Sequence, residues 1–135
     1  MTQLIIGSKS HKLSFSKLSN PGSEIREFGE FSVQAKIGAF SGAANCWLDR
    51  RDFVFLLNDL KQMNRTLNGE HIFKPIEEQV CFKISLQALG GINIEGELQE
   101  KAGGWGQLIK FQFGSDLSLL GLLLKEIEQF IGAFD

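Results

Sequence analysis

The chain contains no tyrosine, and only two residues each of cysteine, histidine, proline, tryptophan and methionine. His11, His71, Cys46 and Cys81 are therefore the only soft metal ligands, and none falls in a CxxC or HxxxH spacing. A zinc site would need four distant positions to converge, so no metal and no cofactor are expected. Two cysteines without a framework of others fit unpaired thiols in a reducing compartment. A basic excess is also missing. The formal net charge is −2, and a direct nucleic-acid partner usually demands a surplus of lysine and arginine. The start, Met1 to Lys12, has no basic stretch followed by an apolar core of about 7–15 residues, as a secretory leader needs. The longest apolar run, Leu117 to Leu124, is broken by Ser118 and Gly121 and stops at Lys125. It falls well short of the ~20 residues of a membrane span. The expectation is a cytoplasmic protein with no membrane partner.

What is present is twelve phenylalanines and a clean two-residue alternation. Phenylalanine carries no polar group that needs a partner, so it reads as core. Val80, Phe82, Ile84 and Leu86 alternate with Cys81, Lys83, Ser85 and Gln87. Ile92, Ile94 and Leu98 alternate with Asn93, Glu95, Glu97 and Gln99, and Ile109, Phe111 and Phe113 with Lys110 and Gln112. Strand side chains point to opposite faces in turn, so this pattern describes a sheet with one buried and one wet face. Leu4–Ile6, Leu13–Leu18, Phe31–Ile37 and Ala43–Leu48 read as further strands, with Phe40-Ser41-Gly42 as a hairpin connection.

Two helices complete the pattern. Asp49 is placed to cap the first, with Asp52 adding charge near its positive end. Phe53, Leu56, Leu57, Leu60, Met63 and Leu67 follow at helical spacing, and Asn68-Gly69 is a stop. The last helix, capped by Asp116, is expected to bury Leu117, Leu120, Leu124, Ile127 and Ile131. Leu119, Leu122, Leu123 and Phe130 widen its apolar arc, through packing on two elements or an oligomer contact. The predicted fold is one α+β domain over residues 1–135. It has two layers: a mostly antiparallel sheet of about six to seven strands, with both helices packed on one face.

Candidate chemistry is sparse. Gly90-Gly91 and Gly103-Gly104-Trp105-Gly106 resemble phosphate loops, but a phosphate loop must open a helix, and these clusters lie between strands. Trp105, between glycines, has little local core to join and is a candidate binding anchor. Trp47 sits beside core-facing positions and is expected to pack. Glu95 and Glu97 share the wet face of one strand. Such a row is more often solvated or partner-facing than catalytic, and Lys83 and Lys110 could neutralise it across the ladder. No catalytic residue is assigned.

Several segments resemble the WapI family of bacterial immunity proteins. They are Gly38-Ala39-Phe40-Ser41-Gly42 followed by Trp47, then Thr66-Leu67-Asn68-Gly69-Glu70 and Gly91-Ile92-Asn93-Ile94-Glu95-Gly96-Glu97-Leu98. Phe111-Gln112-Phe113 and Asp116 continue the match, whose order and spacing run from about Phe31 to Ile131. The resemblance implies a small cytoplasmic protein that binds the toxic domain of a secreted bacterial toxin, in that family a tRNA-cleaving nuclease, and blocks it by occlusion. The implied partner is the cognate toxin domain. The chain itself is expected to be a monomer or weak homodimer and not an enzyme. The expected contact residues are Trp105, Glu95, Glu97, Lys83, Gln87, Lys110 and Gln112.

Two other classes stay open from the residues alone. A small enzyme would need a deep pocket holding polar groups of shifted pKa. An oligomeric module would pair Leu119, Leu122, Leu123, Phe130 and Phe134 with another copy.

Overall fold

A computed structural model describes residues 3–18, 28–87, 90–102 and 105–132. Four strands, β1 (Gln3–Gly7), β2 (His11–Lys17), β3 (Phe28–Ile37) and β4 (Phe40–Asp49), lead into helix α1 (Arg50–Thr66). Four more, β5 (Glu70–Phe73), β6 (Val80–Leu86), β7 (Gly91–Ala102) and β8 (Trp105–Asp116), lead into α2 (Ser118–Gly132). Each set of four forms its own antiparallel sheet in sequence order. The α+β architecture holds. Among the described residues the strands number eight rather than six or seven, and they divide into two sheets instead of one.

Register explains which face each sheet buries. Leu4, Phe15, Val33 and Ala44 fall in one cross-strand row, and all four are buried. Val80 pairs with Leu98 and Ile84 with Ile94, and these too are buried. The two buried faces meet, with β4 against β7 and β3 against β8. Helix α1 packs on β5, β4 and α2, while α2 packs on β1. Both helices and both sheets therefore share one core. Phe53 of α1 sits at its centre, with ring centroids 5.5 Å from Phe15, 5.8 Å from Phe31, 5.4 Å from Phe73 and 5.1 Å from Phe130. Phe73 stacks on Phe82 at 4.7 Å. Such contacts add to the area each ring buries.

Gly96 of β7 lies directly between Phe82 and Phe111 across the ladder. A Cβ there would come within 2.2 Å of the Cys81 carbonyl oxygen and 2.6 Å of the Phe82 Cβ. The position therefore admits no side chain unless the β6 backbone shifts.

Several boundaries differ from expectation. The β3–β4 turn is Gly38-Ala39, with Gly38 at φ 62°, so Phe40 to Gly42 already belong to β4. Gly90, at φ 86°, sits in the β6–β7 connection as a turn glycine should. The expected turn at Gly103-Gly104 lies outside the described residues. In α2 the buried set is Leu120, Leu123, Ile127, Phe130 and Ile131, with Leu117 and Leu124 only partly buried. Leu123 and Phe130 are therefore core residues and cannot serve an oligomer face. Leu122, 57% exposed, is left on the outside, and Phe134 lies outside the described residues. No helix among the described residues is long and apolar enough to cross a membrane.

Candidate functional site

Two surfaces stand out, the wet face of the second sheet and a groove at the head of α1.

The wet face gathers most of the residues singled out from sequence. Lys83, Glu95 and Gln112 form one cross-strand row, and Cys81, Glu97 and Lys110 the next. Lys83 Nζ lies 3.1 Å from Glu95 and 3.9 Å from Glu70, and Lys110 Nζ lies 3.9 Å from Glu97. The Gln112 amide donates to Asn93 Oδ1 at 3.1 Å. The hydrogen bond to Glu95, its charge and that of Glu70 hold the Lys83 ammonium above its usual range. The expected neutralisation across the ladder is thus in place. Gln87 lies past the end of β6, exposed, with its backbone N–H on the Gly91 carbonyl. Trp105 opens β8 opposite Ala102, at the far end of the same hairpin; its side chain is outside the described residues. The depression between Glu95, Glu97, Lys110 and Gln112 is shallow and open.

The groove is built differently. On β4, Cys46 and Leu48 point into the core, so Trp47 between them points out, 46% exposed. The expectation that it packs is corrected by that parity. On α1, Phe55 lies about 200° around the helix from Phe53 and is 62% exposed. Ile76, 86% exposed, sits at the tip of the β5–β6 turn. That turn is held by Glu78 N–H donating to the Pro75 carbonyl at 3.1 Å and by a Lys74–Glu78 pair at 3.3 Å. With Asp49, Arg51, Asp52 and Glu77, these three apolar side chains line a concavity of about 450 Å³.

Three of the groove's polar groups, Asp49, Arg51 and Asp52, serve the helix start. Asp49 Oδ1 accepts from the Arg51 backbone N–H at 2.9 Å, and Asp52 Oδ2 accepts from the Asp49 N–H at 3.0 Å. This is a reciprocal capping box. Asp49 Oδ2 also takes the Arg51 Nε and Nη2 at 3.1 and 2.8 Å. Burial pushes the Asp49 carboxyl up, but the Arg51 side-chain and backbone hydrogen bonds and its charge outweigh this and hold it below the usual range. Asp52 moves the other way, raised by burial and by the neighbouring Asp49 charge against the pull of its backbone hydrogen bond. Two carboxylates with opposite shifts in a cleft could suggest acid–base work. Here both are tied to the α1 backbone, and capping accounts for them.

The remaining reactive groups are inert or structural. Burial, reinforced by the charge of Cys81, pushes the Cys46 thiol up to about 12. Burial and the Glu78 charge also raise Cys81, so neither is an activated nucleophile at neutral pH. The buried His71 holds Asp59 at 2.6 Å, linking β5 to α1. Among the described residues no three histidine, cysteine, aspartate or glutamate side chains converge as a metal site.

The groove escaped sequence reasoning because its three apolar residues come from a strand, a helix and a turn. The available signals were slight: an indole between two inward positions, a phenylalanine off the helical stripe, and an isoleucine between Pro75 and Glu77.

Fold and surfaces together define a small two-sheet α+β protein whose outward features suit contact with another macromolecule. The model of the immunity protein WapI-like family matches residues 5–135, and the chain belongs to that family. A search of curated proteins gives no match. Among solved structures, that of the plant transcriptional regulator PBF-2 is similar over 96% of this chain and 79% of that one, at 12% identity and a TM-score of 0.47.

Proposed function

We propose that this chain is an immunity protein that binds a cognate bacterial toxin domain, a nuclease in the reading the sequence resemblance favours. It neutralises the toxin by covering its working surface and performs no chemistry of its own. Family membership over residues 5–135 carries this reading. Two features of the molecule support it. The Asp49, Asp52 and Arg51 groups of the groove are committed to the start of a helix, and the wet sheet face is shallow with its charges already paired. Neither offers the convergent, enclosed polar groups of a catalytic pocket. The protein acts in the cytoplasm, as a monomer or weak homodimer.

Docking is proposed to involve the second sheet through Lys83, Gln87, Glu95, Glu97, Lys110 and Gln112, with Trp105 at its edge. Because the carboxylates are ion-paired, they orient an approaching basic surface more than they hold it. The test is a pull-down with the toxin domain encoded beside this gene, together with co-expression rescue of toxin-arrested cells. Capture and rescue are expected, and Glu95→Lys with Glu97→Lys should slow association. Failure of the wild type to capture or rescue would discard the immunity reading. Unchanged association of the double variant would move docking off this face.

A further inference from the structure

The apolar side chains of the groove at the head of α1 lie outside the buried core. Trp47, Phe55 and Ile76 are three of the large hydrophobic residues that the described surface leaves exposed. They come from three separate elements, yet they surround one concavity of about 450 Å³. Scattered exposed hydrophobics need no explanation, whereas a convergent set around a hollow marks a contact site. Tryptophan in particular is enriched among residues that dominate binding energy.

The groove is also prepared in advance. Trp47 is held by the β3–β4 ladder, opposite Glu30. Phe55 rides on the first turns of a capped helix. Ile76 is presented by a turn closed by a hydrogen bond and an ion pair, beside the buried Pro75. Little ordering remains to be done on binding, which raises the affinity gained per contact.

Charge defines the occupant. Among the described residues three carboxylates, Asp49, Asp52 and Glu77, line the groove against one cation, Arg51, which Asp49 already engages. Glu77 has no ion pair among the described residues. A carboxylate rim around an apolar floor fits an apolar side chain flanked by lysine or arginine. It disfavours an acidic segment.

Resting on the immunity reading above, we propose that this groove is the anchor point for the toxin. It receives an apolar side chain of the toxin domain with a basic residue beside it, Trp47, Phe55 and Ile76 forming the floor and Glu77 meeting the cation. The paired charges of the second sheet steer the encounter, and the groove slows its dissociation.

Calorimetry and stopped-flow binding with a catalytically inactive form of the neighbouring toxin domain test this. Phe55→Ser with Ile76→Ser should raise Kd about tenfold or more, chiefly through faster dissociation. Glu77→Lys should weaken binding as well. All three substituted side chains are exposed, so thermal melts should match the wild type and certify the fold. Wild-type binding with groove variants within about twofold in Kd overturns the inference while the immunity reading stands.

If the wild type fails to bind, the immunity reading falls, and the chemistry of the groove is tested alone. In ¹H–¹⁵N spectra, 4-phenylbutylamine should shift the Trp47 indole and Ile76 amide signals, while 4-phenylbutyrate should not. Equal shifts, or none, overturn the inference. So does a wild-type dimer in sedimentation that the Phe55→Ser, Ile76→Ser variant dissociates, because the occupant is then a second copy.

Discussion

The wet face of the second sheet and the groove beside Trp47 use charge in opposite ways. On the sheet, carboxylates stand opposite ammoniums: Glu95 with Lys83 and Glu97 with Lys110. Each charge is answered within the molecule, so the surface is polar without being hungry for a partner. In the groove Asp49 and Asp52 cap a helix, Glu77 has no ion pair among the described residues, and the apolar groups are left in water. Surface ion pairs contribute little to stability and are screened by salt, while exposed aromatic and aliphatic area gains whenever something covers it. The surface that looks more functional in sequence is therefore the better satisfied one, and the plainer surface holds the unspent affinity.

The largest test of this contrast lies beneath the two surfaces. Phe53 anchors the helix that carries Phe55, since it touches rings from both sheets and α2. Phe53→Ala should cost about 3–5 kcal/mol in chemical denaturation, the range for deleting a buried phenylalanine. Gly96 supports the ladder, and Gly96→Ala forces its Cβ against the β6 backbone. That overpacking should cost about 1–3 kcal/mol. A larger loss from Gly96→Ala would show that the second sheet, not the α1 cluster, holds the two halves together.

The helix start gives an intermediate effect with a pH signature. Asp49→Ala should cost ~1 kcal/mol as a lost cap. Because the folded state holds the Asp49 carboxyl below its unfolded value, its contribution is full above about pH 4 and disappears as pH falls below that. Asp52 has the reverse sign. Its raised folded value means the native state takes up its proton first, so stability rises as pH falls toward about 4. Asp52→Asn keeps an oxygen for the Asp49 N–H and removes that rise. Urea midpoints across mildly acidic pH should show the wild type gaining on the variant as pH drops. Parallel curves would mean Asp52 does not sense burial as described.

Much of the molecule was legible because strand parity is local. The alternation at Lys83, Glu95, Lys110 and Gln112 placed those side chains together on one face without any knowledge of what the other face covers. Capping at Asp49 and Asp116 was equally local, and Ser118 N–H indeed donates to Asp116 Oδ1 at 2.9 Å. Division into two sheets was not legible, since period two says nothing about which strands pair. The short strand β5 hid inside a helix-stop signal, having only four residues. In α2 the stripes Leu117–Leu124 and Leu123–Phe130 both satisfy helical spacing, and long-range packing on α1 and β1 chose between them. The groove failed for the same reason, as convergence of three elements leaves no periodic trace.

The smallest expected effect concerns the ladder itself. Lys83→Met keeps the aliphatic stem and removes the ammonium that Glu95 and Glu70 share. A raised folded value means this lysine's contribution is present at neutral pH and lost only as pH climbs past the unfolded value of about 10.4. The variant should therefore differ from the wild type only slightly at neutral pH, and the difference should shrink in high salt and in strong alkali. Glu97→Gln should do still less, because its partner Lys110 stands 3.9 Å away and is 73% exposed. A destabilisation by Lys83→Met exceeding that of Asp49→Ala would reverse the comparison. The paired charges would then be holding the sheet in shape, and the face would owe its composition to folding instead of to a partner.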